Sequence, residues 1–399
     1  MSNLLRLFMN AAIFFLSLII SCNLLSYPSN DVNVDHPRGK PYAESSISDI
    51  NYAGLQRALH MYEQAAQNPW RPLPDNIRFK PGARHSAVLQ LRARLVATQD
   101  LPSEQDLEIP IYDKVVTQAV KHFQMRHGLN PDGIVGPETL FELNVSPMDR
   151  LQQIKINLQR WSKLSEELND RYILVNIPAF QLDLIEHGQR VLTMKAVVGK
   201  PTRQTPEIYS TITRVVFNPY WNIPKMIAQQ DIIPKIINNP DYLYAMNIHI
   251  LDKQTSEPYE ISPDEIDWHD ALEQGFQFHF RQDPGYNNAL GLVKFEFQNS
   301  DDIYMHDTPA KNLFSFNRRA YSSGCIRLEK PFDLVNYLMY TDPEWNPNKL
   351  QDYVESGKTR YVRAANPTKV IITYITAWAD DAGNMHFRDD IYGLDNTIY

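Results

Sequence analysis

The chain of 399 residues contains only two cysteines, Cys22 and Cys325, so it is not a scaffold held by a disulfide framework. Glycine is sparse at 15 residues, and no Gly-rich loop of the kind that cradles phosphate occurs. Positive charge is not in excess: 39 Lys and Arg against 47 Asp and Glu leave a net charge of −8, with no basic block. That argues against nucleic acid as a partner. It says little against a glycan or peptide, which would have to be held by pockets rather than by a positive field. His249, His269, His279 and His386 lack ligand spacing with Cys, Asp or Glu, so no metal is expected and catalysis without a cofactor is the simplest account. Long apolar runs are missing too. The run at 11–20 is too short to span a bilayer comfortably but suits the core of a signal peptide.

What remains is an ordinary globular composition, 43% hydrophobic and 22% charged, long enough for two or three domains with sizeable cores. Residues 1–22 read as an export leader. It ends Ile19-Ile20-Ser21-Cys22, which resembles a lipobox in which Cys22 would be lipidated and become the mature N-terminus; an ordinary secretory signal or an uncleaved anchor are the alternatives. Once Cys22 is spent in the leader, Cys325 has no intrachain partner, which suits an oxidising compartment. Residues 23–48 mix Ser, Asn, Asp and Pro without periodicity and read as a linker.

Two helical stretches, 49–80 and 146–168, read as a scaffold bracketing a separable unit at 83–145. In the scaffold, Leu55, Leu59 and Tyr62 recur at near-helical spacing, as do Leu151, Ile154, Leu158 and Trp161. In the unit, Val116, Ala119, Val120 and Phe123 mark a helix capped by Asp113, and Pro137 opens a third helix after a Gly/Pro-rich turn. From 171 onward the period changes to that of strands: 172–177, 180–185, 191–198 and 212–217. The strand order is interrupted at 222–283, where 226–237 and 263–274 read as helices of an inserted lid hinged near Tyr220 and Trp221. Strands resume at 292–297 and 303–306, a helix is expected at 331–340, and the last strands at 369–374 and 385–388. The fold class is therefore multidomain α+β: a mostly antiparallel β domain over 170–399 with an inserted helical lid, a small three-helix module and a helical scaffold.

The chemistry gathers at Ser322-Ser323-Gly324-Cys325-Ile326-Arg327 and, 19 positions upstream of the thiol, at Tyr304-Met305-His306-Asp307-Thr308-Pro309. A thiol attacks as thiolate, and an imidazole can take its proton and later return it to a leaving amine. Ser323 and Gly324 suit a tight approach in which backbone N–H groups, that of Cys325 included, face a developing oxyanion. The fork of Arg327 suits a substrate carboxylate, or equally a salt bridge bracing the loop. Tyr304 lies two residues before His306 and could line the same pocket. Asp307 is placed either to orient the imidazole or merely to form the turn, and a backbone carbonyl there could hold the ring instead.

Ser323-Gly324-Cys325-Ile326-Arg327 preceded by His306-Asp307-Thr308-Pro309 resembles the catalytic signature of the L,D-transpeptidases, cysteine enzymes that cross-link bacterial peptidoglycan. The Asp132-Gly133-Ile134-Val135-Gly136-Pro137-Glu138-Thr139 turn resembles that of the three-helix peptidoglycan-binding module. Together they fit the large subclass that carries such a module and a lid. Many family members have His and Asn where this chain has Ser323 and Arg327, which leaves those flanking roles less defined than those of Cys325 and His306. The resemblance implies that Cys325 attacks the third residue of a stem peptide, with His306 as base and then acid. A neighbouring stem amine would capture the thioester as a 3→3 cross-link. Water as acceptor would make an L,D-carboxypeptidase, a protein amine an enzyme that anchors proteins to peptidoglycan, and loss of chemistry a non-catalytic wall-binding protein. The implied setting is the periplasm or cell envelope. The partners are stem peptides and glycan, with membrane contact only through the leader or a lipid; the oligomeric state is not legible.

Overall fold

The computed structural model describes residues 47–75, 77–102, 107–252 and 259–396. The expected leader, Cys22 and nearly all of the linker lie outside the described residues. Five helices come first: α1 (Ile47–Ala66), α2 (Ala87–Ala97), α3 (Lys114–Arg126), α4 (Pro137–Asn144) and α5 (Pro147–Ser165). Asp113 caps α3 by accepting the Val116 N–H at 3.0 Å, Pro137 opens α4, and Ser146 caps α5 through the Asp149 N–H at 3.1 Å. Helices α2 to α4 close over their own core of Leu91, Leu95, Val116, Val120, Phe123 and Leu140. Helix α1 packs instead on α5 and on the outer face of the sheet that follows, where Leu55, Tyr62, Ile154 and Trp161 meet Tyr172, Ile185 and Ile371.

That sheet has nine strands. In chain order they are β1 (Arg171–Asn176), β2 (Gln181–Glu186), β3 (Gln189–Gly199), β4 (Ile208–Phe217), then, after β5 (Trp221–Ile223), β6 (Ile248–Asp252), β7 (Tyr259–Glu260) and β8 (His279–Gln282) of the insertion, β9 (Val293–Phe297), β10 (Met305–His306), β11 (Ala320–Ser322), β12 (Ile326–Leu328) and β13 (Arg360–Thr373). The order across the sheet is β11-β3-β12-β10-β9-β4-β13-β1-β2, and β2 also pairs with β3, so the sheet closes on itself as a barrel. Most pairings are antiparallel; β1–β13, β10–β12 and β3–β11 are parallel. The interior is filled by alternate residues such as Val175, Leu184, Val215, Phe295, Met305, Ile326 and Ile372, and by Leu334, Val335 and Leu338 of a helix over Pro331–Met339. Phe295 lies at the centre of this core with no exposed surface, paired with Met305 on one side and Val215 on the other. Phe295→Ala should cost about 3–5 kcal/mol, read as a lower urea midpoint with an unchanged m-value.

Two expectations need correction. The insertion is not simply helical: β5, β8, β6 and β7 form a four-stranded antiparallel sheet, against which Ile233, Ile236 and Leu243 of the intervening helices pack. Its strands are short, and Ile248 and Ile250 alternate with polar residues over too few positions to be read locally. The two ends of the insertion run side by side, with Trp221 opposite Gln282 and Ile223 opposite Phe280. Strand β13 starts at Arg360, nine residues before the expected 369, because a register shift between Arg363 and Thr368, spanning Pro367, breaks its alternation.

Candidate active site

The pairing of β10 with β12 fixes the site. Met305 stands opposite Ile326, and both point into the barrel; His306 stands opposite Arg327. Side chains alternate along a strand, so Tyr304, His306, Cys325 and Arg327 share the outer face. Cys325 and His306 stand diagonally on that face, one residue before the register pair Met305–Ile326 and one after it. On the other side of β10, His306 faces Lys294 of β9, whose Nζ lies 4.2 Å from the centre of the Tyr304 ring.

Cys325, the free cysteine of the described residues, is partly buried. Burial pushes its thiol pKa up, opposed by hydrogen bonds from the Tyr304 N–H and phenol and by the charges of Lys294 and Arg327. The Tyr304 phenol is held well above its ordinary pKa by burial and then by Cys325, and it also receives a hydrogen bond from Trp221 at the edge of the insertion. His306 is buried, and its pKa is pushed down to about 3, first by burial, then by Arg327 and Lys294. The ring is therefore neutral at pH 7, and its Nδ1 pairs with the Asp307 backbone carbonyl. The resting pair is thus thiol and neutral imidazole rather than thiolate and imidazolium.

Asp307 does not orient the imidazole with its carboxylate. Its Oδ2 accepts the Leu292 N–H at 3.0 Å and its Oδ1 pairs with Lys311, so it braces the turn before β9. Gly291 makes room for it: the glycine has φ +61°, and a β-carbon there would sit 2.4 Å from Asp307 Oδ2.

The comparisons bear on this geometry. The family model described as the L,D-transpeptidase catalytic domain matches residues 170–372, about half of the chain. The chain belongs to the L,D-transpeptidase family. A second family model, "Putative peptidoglycan binding domain", matches residues 84–143, which is α2 to α4. A Haemophilus influenzae protein named "Putative L,D-transpeptidase" is 36% identical over 247 residues, covering 62% of this chain and 49% of that protein. The match thus spans about half the length of the curated relative. Among solved structures, an L,D-transpeptidase from Mycobacterium smegmatis is 15% identical with a TM-score of 0.21, covering 51% of this chain and 58% of that one. One from Xylanimonas cellulosilytica is 14% identical with a TM-score of 0.23, covering 76% and 100%. At those TM-scores neither adds to the family match.

In this family member the loop before Cys325 is tightly held. Gly324 has φ +118°; its N–H donates to Ser322 Oγ at 3.2 Å and its carbonyl accepts from Thr205 Oγ1 at 2.6 Å. The Gly324 N–H is thus engaged by Ser322, and the amide that hydrogen-bonds the sulfur is that of Tyr304. Ser323 points its hydroxyl to Arg203. Arg327 is mostly buried and its Nε has no hydrogen-bond partner, so the guanidinium has a donor to offer a ligand.

Sequence reasoning passed over several residues that shape the site. Lys294 alternates outward in Val293–Phe297, a signal that was available. Thr205 and Tyr392 gave none: the Tyr392 phenol donates to the Gly199 carbonyl at 2.6 Å and accepts the Thr205 N–H at 3.1 Å, a contact made across 187 positions. The hydrogen bond from the Tyr304 phenol to sulfur carries a prediction. Because it favours the thiolate, Tyr304→Phe should raise the thiol pKa further and slow reaction at sulfur by about 10–100-fold, given 1.5–3 kcal/mol for a hydrogen bond to a charged group. The rate of iodoacetamide alkylation against pH reads this directly. A midpoint that stays in place would remove the phenol from the site's chemistry.

Proposed function

We propose that this enzyme is a peptidoglycan L,D-transpeptidase that forms 3→3 cross-links through a thioester on Cys325. The observation that carries the reading is the single outer face bearing Cys325, Tyr304 and a neutral His306 beside an Arg327 with an unpartnered buried donor. Cys325 would attack the carbonyl of the third residue of a donor stem. The sulfur forms the new bond to carbon, its proton passes to His306, and the amide C–N bond breaks as His306 returns the proton to the departing D-alanine amine. The Cys325 N–H faces the oxyanion that forms meanwhile. An amine of a second stem then attacks the thioester, the C–S bond breaks, and the thiol is restored.

The electrostatics fit a base that switches on with substrate. A pKa of about 3 makes the resting imidazole a weak base, and Arg327 is one of the groups that holds it there. A substrate carboxylate on Arg327 would neutralise that charge, raise the imidazole basicity and bring the reacting carbonyl to sulfur in the same event. The module at 84–143 would hold glycan or stem peptide near the site, and the leader would deliver the protein to the periplasm.

The test is incubation of the protein with disaccharide-tetrapeptide, followed by mass spectrometry of protein and products. An acyl adduct with cross-linked dimer is expected. Adduct with tripeptide and free D-alanine, but no dimer, would make water the acceptor and the enzyme an L,D-carboxypeptidase. Folded protein that binds sacculi but forms neither adduct nor product would leave a wall-binding protein.

A further inference from the structure

The loop joining β3 to β4 is fixed at its base to the strand that leads into Cys325. The Lys200 N–H donates to the Ser322 carbonyl at 3.0 Å, and Thr205 Oγ1 donates to the Gly324 carbonyl and accepts the Gly199 N–H at 2.8 Å. The turn is so close that a β-carbon on Gly199 would lie 2.2 Å from the Arg203 carbonyl. From the middle of this fixed loop, Arg203 reaches in two directions. Its Nη1 donates to Ser323 Oγ at 2.8 Å and also pairs with Asp231; its Nη2 donates to Gln230 Oε1 at 2.5 Å and to Asp231 Oδ1 at 3.1 Å.

Gln230 and Asp231 belong to the insertion, in a π-helical turn over Ala228–Ile232. Such turns are rare and gather at functional sites, and here two consecutive side chains reach one guanidinium. The Arg203 side chain is only 7% exposed, against 34% for Asp231, so this is a shielded, forked contact rather than a solvated surface pair. The insertion does not need it to fold, because it has its own core of Ile232, Ile233, Ile236, Ile250 and Phe280. Joined to the barrel at the paired strands β5 and β8, such a unit can swing unless something holds it down. Arg203 does so, with the same group that fixes Ser323, two residues before the thiol.

We infer that Arg203 is a positioning residue that ties the lid to the nucleophile loop, so that a thioester on Cys325 stays shielded until an amine reaches it. For its chemical readout this rests on the transpeptidation reading above. The thioester has two fates: an amine forms an amide and releases the thiol, or water forms a carboxylate and releases the thiol. A lid held down favours the first.

The experiment compares the full chain with Arg203→Met, Arg203→Lys and Asp231→Asn. The first readout is hydrogen exchange over 225–238 in the resting protein, with no substrate present. Loss of the tie should speed exchange there at least about tenfold in Arg203→Met and Asp231→Asn, with Arg203→Lys between these and wild type, while exchange in β9 and β13 stays unchanged. The second readout is the ratio of tripeptide to cross-linked dimer, which should rise several-fold in the same order while acyl-enzyme still forms. Unchanged exchange over 225–238 in both Arg203→Met and Asp231→Asn overturns the tie. Acyl-enzyme formation lost as fully as when the thiol itself is removed overturns it as well, since the role would then lie in acylation. Should wild type form no acyl-enzyme at all, the transpeptidation reading fails, and the exchange measurement still decides whether Arg203 holds the lid.

Discussion

Cys325→Ala should form no acyl-enzyme and lose product formation by a factor on the order of 10⁴–10⁶, the scale seen when a catalytic nucleophile is deleted. No neighbour on the face can replace it. Ser323 is engaged with Arg203, and the Ser322 hydroxyl donates to the Cys325 carbonyl. The fold should be untouched, because the strand pairing at this point is made by backbone: the Ile326 N–H donates to the Tyr304 carbonyl at 3.1 Å. A urea midpoint within error of wild type, with complete loss of the protein mass shift on incubation with stem peptide, is the expected pair of results. Turnover within tenfold of wild type would send the search for a nucleophile elsewhere.

Removal of the imidazole comes next in size. His306→Ala should slow acylation about 10²–10⁴-fold, the usual contribution of a positioned general base. The pH profile gives the sharper test. With the free-enzyme pKa pushed down to about 3, His306 is already neutral across the range where histidine ordinarily titrates, so kcat/KM should show no acid limb near 6.5. A break near 6.5 would mean that the imidazole rests charged. Stability carries the same signature. A histidine whose folded pKa lies below its unfolded value binds its proton more readily unfolded. Its stabilising effect is present above about pH 6.5 and fades as pH falls towards 3, by at most about 1.4 kcal/mol per pH unit for one group. His386, pushed down to about 4 by burial, and His127, held well below 6.5 by burial, act in the same direction. The urea midpoint should therefore drop steadily from pH 7 to 5, and less steeply in His306→Ala.

The parts of this architecture that could be read in advance are those whose signal is local. The alternation of Tyr172 to Val198 gives three strands, Asp113 and Pro137 announce helix starts, and a thiol flanked by Ser323, Gly324 and Arg327 announces chemistry. What stayed hidden depends on partners far along the chain. Strand β13 reads poorly because Pro367 and a register shift break its period, although Arg360 and Tyr361 pair in register with β4. The small sheet of the insertion is made of strands too short to show a period. Arg203 looked like one more polar loop residue, and its meaning comes only from Ser323, 120 positions away, and from Asp231. The neutrality of His306 was equally out of reach, since it arises from burial and from two cations placed on either side by strand order.

The closure of the barrel also sets an order of events in synthesis. Strand β1 pairs in parallel with β13, joining Tyr172 to Lys369, and the hydrogen bond from the Ala379 N–H to Asn51 spans 328 positions. Helices α2 to α4, with a core drawn almost wholly from neighbouring residues, can fold as soon as they emerge. The barrel has to wait until nearly the whole chain has been made, and the entropy of closing so long a loop makes that step slow. The nascent chain is thus a folded helical bead followed by strands that pair with their neighbours but cannot close, and a chain stopped before β13 would leave the facing edges of β1 and β4 without a partner.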